Sequence, residues 1–162
     1  MEPIKKTKKS SHKRQFCSFR VGGRLFGVNI LDVKEVNTET GFTPIFHAPE
    51  EVRGYVNIRG QIHLILDLRM VMGFETRPVD EESRLVLFKP CVGDALGILV
   101  DRIGDVVTVD KIQIEDRRQA DKGSPEGKDR RASDVGAGVC KLDNEIMVIL
   151  NPRSLAKCVE NP

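Results

Sequence analysis

The chain of 162 residues has no Trp, a single Tyr (Tyr55) and an aromatic share of 5%. A binding surface built on stacked aromatic rings is therefore not expected. No apolar run approaches the roughly 20 residues of a membrane span. The opening Met1-Glu2-Pro3-Ile4-Lys5-Lys6 lacks the apolar segment of a secretory signal. A cytoplasmic location is expected. Histidine is scarce: His12, His47 and His63 are scattered, and His63 reads as a core histidine on an apolar strand. Cys17, Cys91, Cys140 and Cys158 contain no C-x-x-C spacing, so free thiols in a reducing compartment are expected. Gly-x-Ser-x-Gly, His-Glu-x-x-His and a phosphate-binding glycine loop are all missing. The scattered His and Cys lack metal-ligand spacing. Glu35 and Asp105, the one conceivable carboxylate pair, read as symmetry-related structural positions. No catalytic residue, metal or cofactor is expected.

Positive charge is also missing from the body of the chain. Residues 1–14 hold Lys5, Lys6, Lys8, Lys9, Lys13 and Arg14 against Glu2, a net of +5. The whole chain is only +2, which leaves the remainder at −3. A nucleic-acid-binding domain carries its cations on the folded surface. Residues 1–14 instead read as a disordered basic tail, and neither nucleic acid nor direct membrane insertion is expected.

What the chain does have is Val, Ile and Leu in strand-sized runs. Asn57 to Arg69 reads as two strands meeting at Arg59-Gly60, where Gly60 supplies the positive φ of a tight turn. Ile62-His63-Leu64-Ile65-Leu66 is almost wholly apolar, which predicts a central strand buried on most of both faces. Arg59 is a full charge in this apolar setting. Glu35, flanked by Val33 and Val36, is its best candidate partner. A partly buried Glu35–Arg59 pair near a lobe junction is expected, and breaking a buried pair costs about 3–5 kcal/mol.

Phe16 to Val21 and Leu25 to Val28 form a hairpin around Gly22-Gly23. Ile30 to Val36 is a helical turn running into a strand. Thr43-Pro44 and Ala48-Pro49 bracket a loop. Leu68 to Gly73 is a short helix, and Leu150 to Ala156 closes the chain with another. The pattern then repeats. At a shift of 70, Phe26-Gly27-Val28 falls on Leu96-Gly97-Ile98, Val33 on Ile103, Glu35 on Asp105 and Val36 on Val106. At a shift of 84, Ile62 falls on Ile146, Ile65-Leu66 on Ile149-Leu150 and Arg69 on Arg153. The difference is absorbed between Val106 and Ile146, where the charged stretch Glu115 to Asp134 reads as an exposed, flexible insertion. An internal duplication follows: a mostly β protein of two related lobes, about 15–80 and 81–158, with short helices.

Phe26-Gly27-Val28, Val33, Glu35-Val36, Thr43-Pro44, Pro49, Val52-Arg53-Gly54, Asn57-Ile58-Arg59-Gly60, Ile62, Asp67-Leu68-Arg69 and Gly97-Ile98-Leu99-Val100-Asp101 together resemble the CheW family of chemotaxis coupling proteins, from about Gln15 to Leu155. The resemblance implies two intertwined five-stranded barrels of the SH3 or oligonucleotide-binding sort, with strands exchanged between the lobes. It implies a non-catalytic adaptor that links the cytoplasmic tips of methyl-accepting chemoreceptors to the histidine kinase CheA, recruited to membrane receptor arrays. It also implies a structural role for Glu35 and Arg59 and a motif role for Gly54, Asn57, Ile58 and Gly60. Its receptor-binding groove would be lined by Ile30, Val33, Val36 and Ile103. The chain departs from the family at His63-Leu64, Phe46, the charged insertion and the basic tail. The competing readings are an oligonucleotide-binding β-barrel module and a small enzyme using Cys91 or Cys140.

Overall fold

A computed structural model describes residues 12–116 and 136–160. Among the described residues eleven strands form two sheets. The six-stranded sheet has the order β8-β1-β2-β11-β10-β9 and the five-stranded sheet β3-β6-β7-β5-β4. The strands are β1 (Lys13–Val21), β2 (Arg24–Asn29), β3 (Val33–Asn37), β4 (Val52–Ile58), β5 (Gln61–Asp67), β6 (Arg84–Phe88), β7 (Leu96–Val100), β8 (Arg102–Asp110), β9 (Ile114–Asp116), β10 (Gly136–Lys141) and β11 (Ile146–Leu150). Helix α1 is Leu68–Val71 and helix α2 is Pro152–Glu160.

The duplication is visible in the register. Gly27 of β2 lies opposite Ile149 of β11, and Gly97 of β7 lies opposite Ile65 of β5, both in parallel pairs. These are equivalent positions under the two shifts. A bulge between Val33 and Glu35 in β3 has its counterpart between Cys17 and Phe19 where β1 meets β8. Another, between Val52 and Gly54, recurs between Gly136 and Gly138. The hairpin β1–β2 of the first repeat lies in the sheet of the second, and the hairpin β6–β7 lies in the sheet of the first. The sheets therefore divide at Ile30–Asp32 and at Asp101, not at the repeat boundary near residue 80.

This topology explains the continuous apolar runs. Val86 and Phe88 of β6 join a core shared by both sheets, with Phe19, Val21, Phe26, Val28, Ile98 and Val100. Leu85 and Leu87 face the other way, into a separate core of the five-stranded sheet with Val56, Ile58, Ile65 and Leu99. Phe16, Leu25, Val109, Cys140, Met147 and Ile149 fill the matching core of the six-stranded sheet. A strand between two cores needs apolar residues on both faces, so alternation disappears.

Three expectations need correction. The disordered tail expected over residues 1–14 does not take in Lys13 and Arg14, which belong to β1 and pair with Asp110 and Val109 of β8. The six-stranded sheet exceeds the expected five because Ile114–Asp116 pairs with β10, so Glu115 and Asp116 are strand rather than insertion. In the five-stranded sheet the corresponding contact is only a bridge between Thr43 and Tyr55. The third concerns β5: Ile65 and Leu66 are buried, but Ile62 is 52% exposed. The rest of the tail and of the insertion lies outside the described residues.

Candidate functional site

Arg59 and Gly60 take φ of 50° and 85° at the two corners of the β4–β5 hairpin. Both positive values mark a turn whose twist matches the strands. The Oδ1 of Asn57 accepts a hydrogen bond from the Gly60 amide at 2.9 Å and fixes the turn. That geometry carries the Arg59 side chain to β3, at the opposite end of the sheet, where it pairs with Glu35. Beside it, Lys34 Nζ donates to Gln61 Oε1 at 3.4 Å. These contacts bring the two ends of the five-stranded sheet together. The pair is partly buried, and unevenly so: the Glu35 side chain is 25% exposed. The Arg59 side chain is 67% exposed. The turn projects it into solvent instead of into the shared core.

Gly54 is positioned by a close approach. Its φ is +142°, and a Cβ there would collide with the Thr43 carbonyl oxygen. Ile58, next to the turn, is buried in the core of its sheet.

The four groove candidates do not sit alike. Val33 and Ile103, equivalent residues on β3 and β8, both pack half-buried on the core between the sheets. Ile30 begins the 3₁₀ turn Ile30–Asp32 and lines a cavity of about 580 Å³ with Lys13, Arg14, Gln15, Asn29, Leu31 and Thr108. Val36 is 40% exposed and lies outside that cavity. The structure thus brings Val33 and Ile103 to one core and places Ile30 and Val36 to either side of β3's start.

Exposed apolar side chains add what the motif search missed. Val36 and its equivalent Val106 are 40% and 51% exposed; Ile62 and its equivalent Ile146 are 52% and 54% exposed. The shifts of 70 and 84 already paired these residues in the sequence. Their exposure was illegible there, because buried and exposed Val and Ile look the same in a strand.

Stronger electrostatics lie where the chain crosses between sheets. Arg69 Nε and Nη2 each donate to Asp101 at 2.9 Å, and the Gly22 amide donates to Asp101 Oδ2 at 2.9 Å. The hydrogen bond to Asp101 raises the Arg69 pKa above its ordinary range. At the other crossing Arg153 reaches Asp32 at 3.4 Å. Both arginines follow a helix cap: Asp67 accepts from the Arg69 amide and Asn151 from the Arg153 amide. Burial pushes the Asp67 carboxyl up from its ordinary value. His63 is 2% exposed, with Nδ1 3.1 Å from the Gln61 carbonyl oxygen, as a core histidine should be. Cys17 and Cys140 are buried and Cys91 is exposed. Among the described residues no three His, Cys, Asp or Glu side chains are grouped to hold a metal ion, and no helix is long and apolar enough to cross a membrane.

A duplicated β protein with exchanged hairpins and paired exposed apolar positions is a distinct class of fold. The model of the CheW-like domain matches residues 15–160. The chain belongs to the CheW-like family. The chemotaxis protein CheW of Klebsiella aerogenes is 26% identical over 148 residues, covering 91% of this chain and 84% of that one. The chemotaxis protein CheW of Rhizobium meliloti is 32% identical over 102 residues, covering 63% of this chain. The match spans 65% of the Rhizobium protein's own length. The crystal structure of the scaffolding protein TtCheW from Thermoanaerobacter tengcongensis superposes with a TM-score of 0.71 at 27% identity, covering 85% of this chain and 88% of that one.

Proposed function

We propose that the chain is a non-catalytic adaptor that couples the cytoplasmic tips of chemoreceptors to the histidine kinase CheA at membrane receptor arrays. An adaptor needs two contact surfaces on one rigid body. The observation that carries this reading is the duplicated set of exposed apolar residues, Val36 with Ile62 on one sheet and Val106 with Ile146 on the other. Family membership supports it, as do relatives named chemotaxis proteins and a structural neighbour described as a scaffolding protein. In this reading the receptor helix lays an apolar stripe against Ile30, Val33, Val36 and Ile103. Glu35 and Arg59 hold the sheet ends beside it. CheA takes the surface around Val106 and Ile146.

Copurification with a chemoreceptor cytoplasmic fragment and with CheA tests the assignment. Val36→Asp is expected to lose the receptor fragment and keep CheA, and Val106→Asp to do the reverse, both with unchanged melting. Wild-type binding of both partners by both variants would overturn it. So would tight binding of single-stranded DNA in a parallel gel-shift assay.

A further inference from the structure

We propose that the hairpin β1–β2 exchanges between two copies of the chain, so that the protein forms a hairpin-swapped dimer when it folds at high concentration. Within one chain the hairpin already sits away from its own repeat, on β8 and β11 of the second. Its covalent link to the rest of the described chain is the turn Ile30–Asp32. No residue of that turn is buried, and Leu31 is 69% exposed. The strands that receive the hairpin both lie beyond the turn, so those of a second copy satisfy it equally well. The hairpin fits only the site it leaves, which makes the partner another copy of this chain. In the dimer each six-stranded sheet is built from both chains. Cys17 of one copy then lies opposite Val106 of the other, and Leu25 opposite Met147.

The turn is suited to open. Asn29 before it has φ −56° and ψ 127°, and Val33 after it has φ −92° and ψ 126°, so both flanks are already close to extended. Straightening Ile30, Leu31 and Asp32 alone would join β2 and β3 into one strand. The sequence suits both states: Ile30 and Val33 share a helical face, while Leu31, Val33 and Glu35 alternate as in a strand. The Leu31 amide donates to Asn29 Oδ1 at 2.9 Å, the Lys89 amide donates to the Asp32 carbonyl oxygen at 2.9 Å, and Arg153 reaches Asp32 at 3.4 Å. The other crossing has no such slack, because Asp101 alone joins β7 to β8, and Arg69 and the Gly22 amide each hold it at 2.9 Å.

The hairpin is committed to the core, where Phe19, Val21, Phe26 and Val28 are at most 1% exposed. It therefore does not leave a folded molecule, and exchange belongs to folding. The hairpin closes locally at Gly22-Gly23, while β8 and β11 come much later in the chain and are slow to find. A neighbouring chain competes for them as its concentration approaches that of a tethered hairpin, about millimolar.

The test is refolding of the full chain from guanidinium at about 10 μM and about 1 mM, then gel filtration with light scattering after dilution to one concentration. The dimer fraction is expected to rise at least about tenfold with concentration. The dimer is expected to persist for hours after dilution, because separation requires unfolding. Chains of two different masses are expected to form a mixed dimer when refolded together, and none when mixed as native monomers. Removing Leu31 and Asp32 is expected to make the chain dimeric at both concentrations, since the strand ends can no longer turn back. Inserting Gly-Gly after Leu31 is expected to keep it monomeric at both. If the shortened chain does not fold, the wild-type and lengthened chains still decide. A wild-type chain that refolds only to monomer at both concentrations overturns the proposal. So does a dimer that forms between native monomers, falls apart on dilution or is indifferent to the length of the turn, because each marks an ordinary surface contact. The readout is mass, so failure here leaves the adaptor reading untouched.

Discussion

Arg59 and Arg69 belong to the same stretch of sequence and make opposite kinds of ion pair. Arg59 is two-thirds exposed beside Glu35, whereas the Arg69 and Asp101 side chains are 16% and 15% exposed. Exposed pairs contribute about 0–1 kcal/mol, because solvent screens them. Breaking a buried pair strands a charge and costs about 3 kcal/mol or more. Urea denaturation should therefore show Glu35→Ala within about 1 kcal/mol of wild type. Asp101→Ala should lose at least about 3 kcal/mol. The sequence paired Glu35 with Arg59 as a partly buried pair but gave no sign that Arg59 would be the exposed member, since an apolar neighbourhood in sequence says nothing of which way a turn points. It offered no sign that Asp101 was the deeper partner, because the arginine 32 residues away meets it only through the fold. Asp67 carries a further prediction. Its pKa is raised by desolvation, so the folded state favours the protonated form. The ionised carboxylate is then a cost at neutral pH, and the cost fades as pH falls through the folded pKa. Asn151 performs the same helix cap without charge. Asp67→Asn keeps the cap but gives up the ion pair with Arg53 at 3.4 Å. Whatever that offset, its stability relative to wild type should rise from acid to neutral pH, in thermal melts across pH. Asp67→Ala should lose about 1 kcal/mol with the cap.

At the scale of elements the glycines separate strands that were read correctly from contacts that were not. Gly27 and Gly97 occupy equivalent places in the two parallel pairs. A Cβ on Gly27 would meet Met147 Sδ at 2.7 Å, the end of a flexible side chain. A Cβ on Gly97 would meet Leu87 Cδ2 at 2.7 Å, Ile65 Cδ1 at 3.0 Å and the Val86 carbonyl oxygen at 3.1 Å. Methionine can swing aside and backbone cannot. Gly97→Ala should thus cost about 2–3 kcal/mol and Gly27→Ala less than about 1 kcal/mol, by denaturation midpoint. Gly54→Ala should exceed about 3 kcal/mol, because left-handed strain and a clash with the Thr43 backbone act together. The body of β1 and β2, the Gly22-Gly23 turn and the helices were legible, since period, turn residues and length are local signals, whereas the start of β1 and the short β9 were not. Which sheet each strand joins was not local. The two shifts revealed the repeat, but only the register shows that the hairpins β1–β2 and β6–β7 change places.

For the molecule as a whole, that exchange sets what can fold. The first repeat lacks β6 and β7, the middle of its own sheet, and the second lacks β1 and β2. Fragments spanning 12–80 and 81–160 should each give no cooperative melt, and should recover strand signal in circular dichroism when mixed. A sigmoidal melt from either fragment alone would contradict the topology. Chain path adds a consequence of its own. The first and last strands, β1 and β11, both lie in the six-stranded sheet, and the segment from Val33 to Val100 is looped out between them as the other sheet. Tension between β1 and β11 would load one sheet and leave the other slack. A nudge delivered at Val36 has only two covalent routes out, through Ile30–Asp32 and through Asp101. Each route ends against an arginine, one gripping at 2.9 Å and one at 3.4 Å. Arg153 is half-exposed where Arg69 is largely covered, so the route beside Ile30 is the more readily screened of the two.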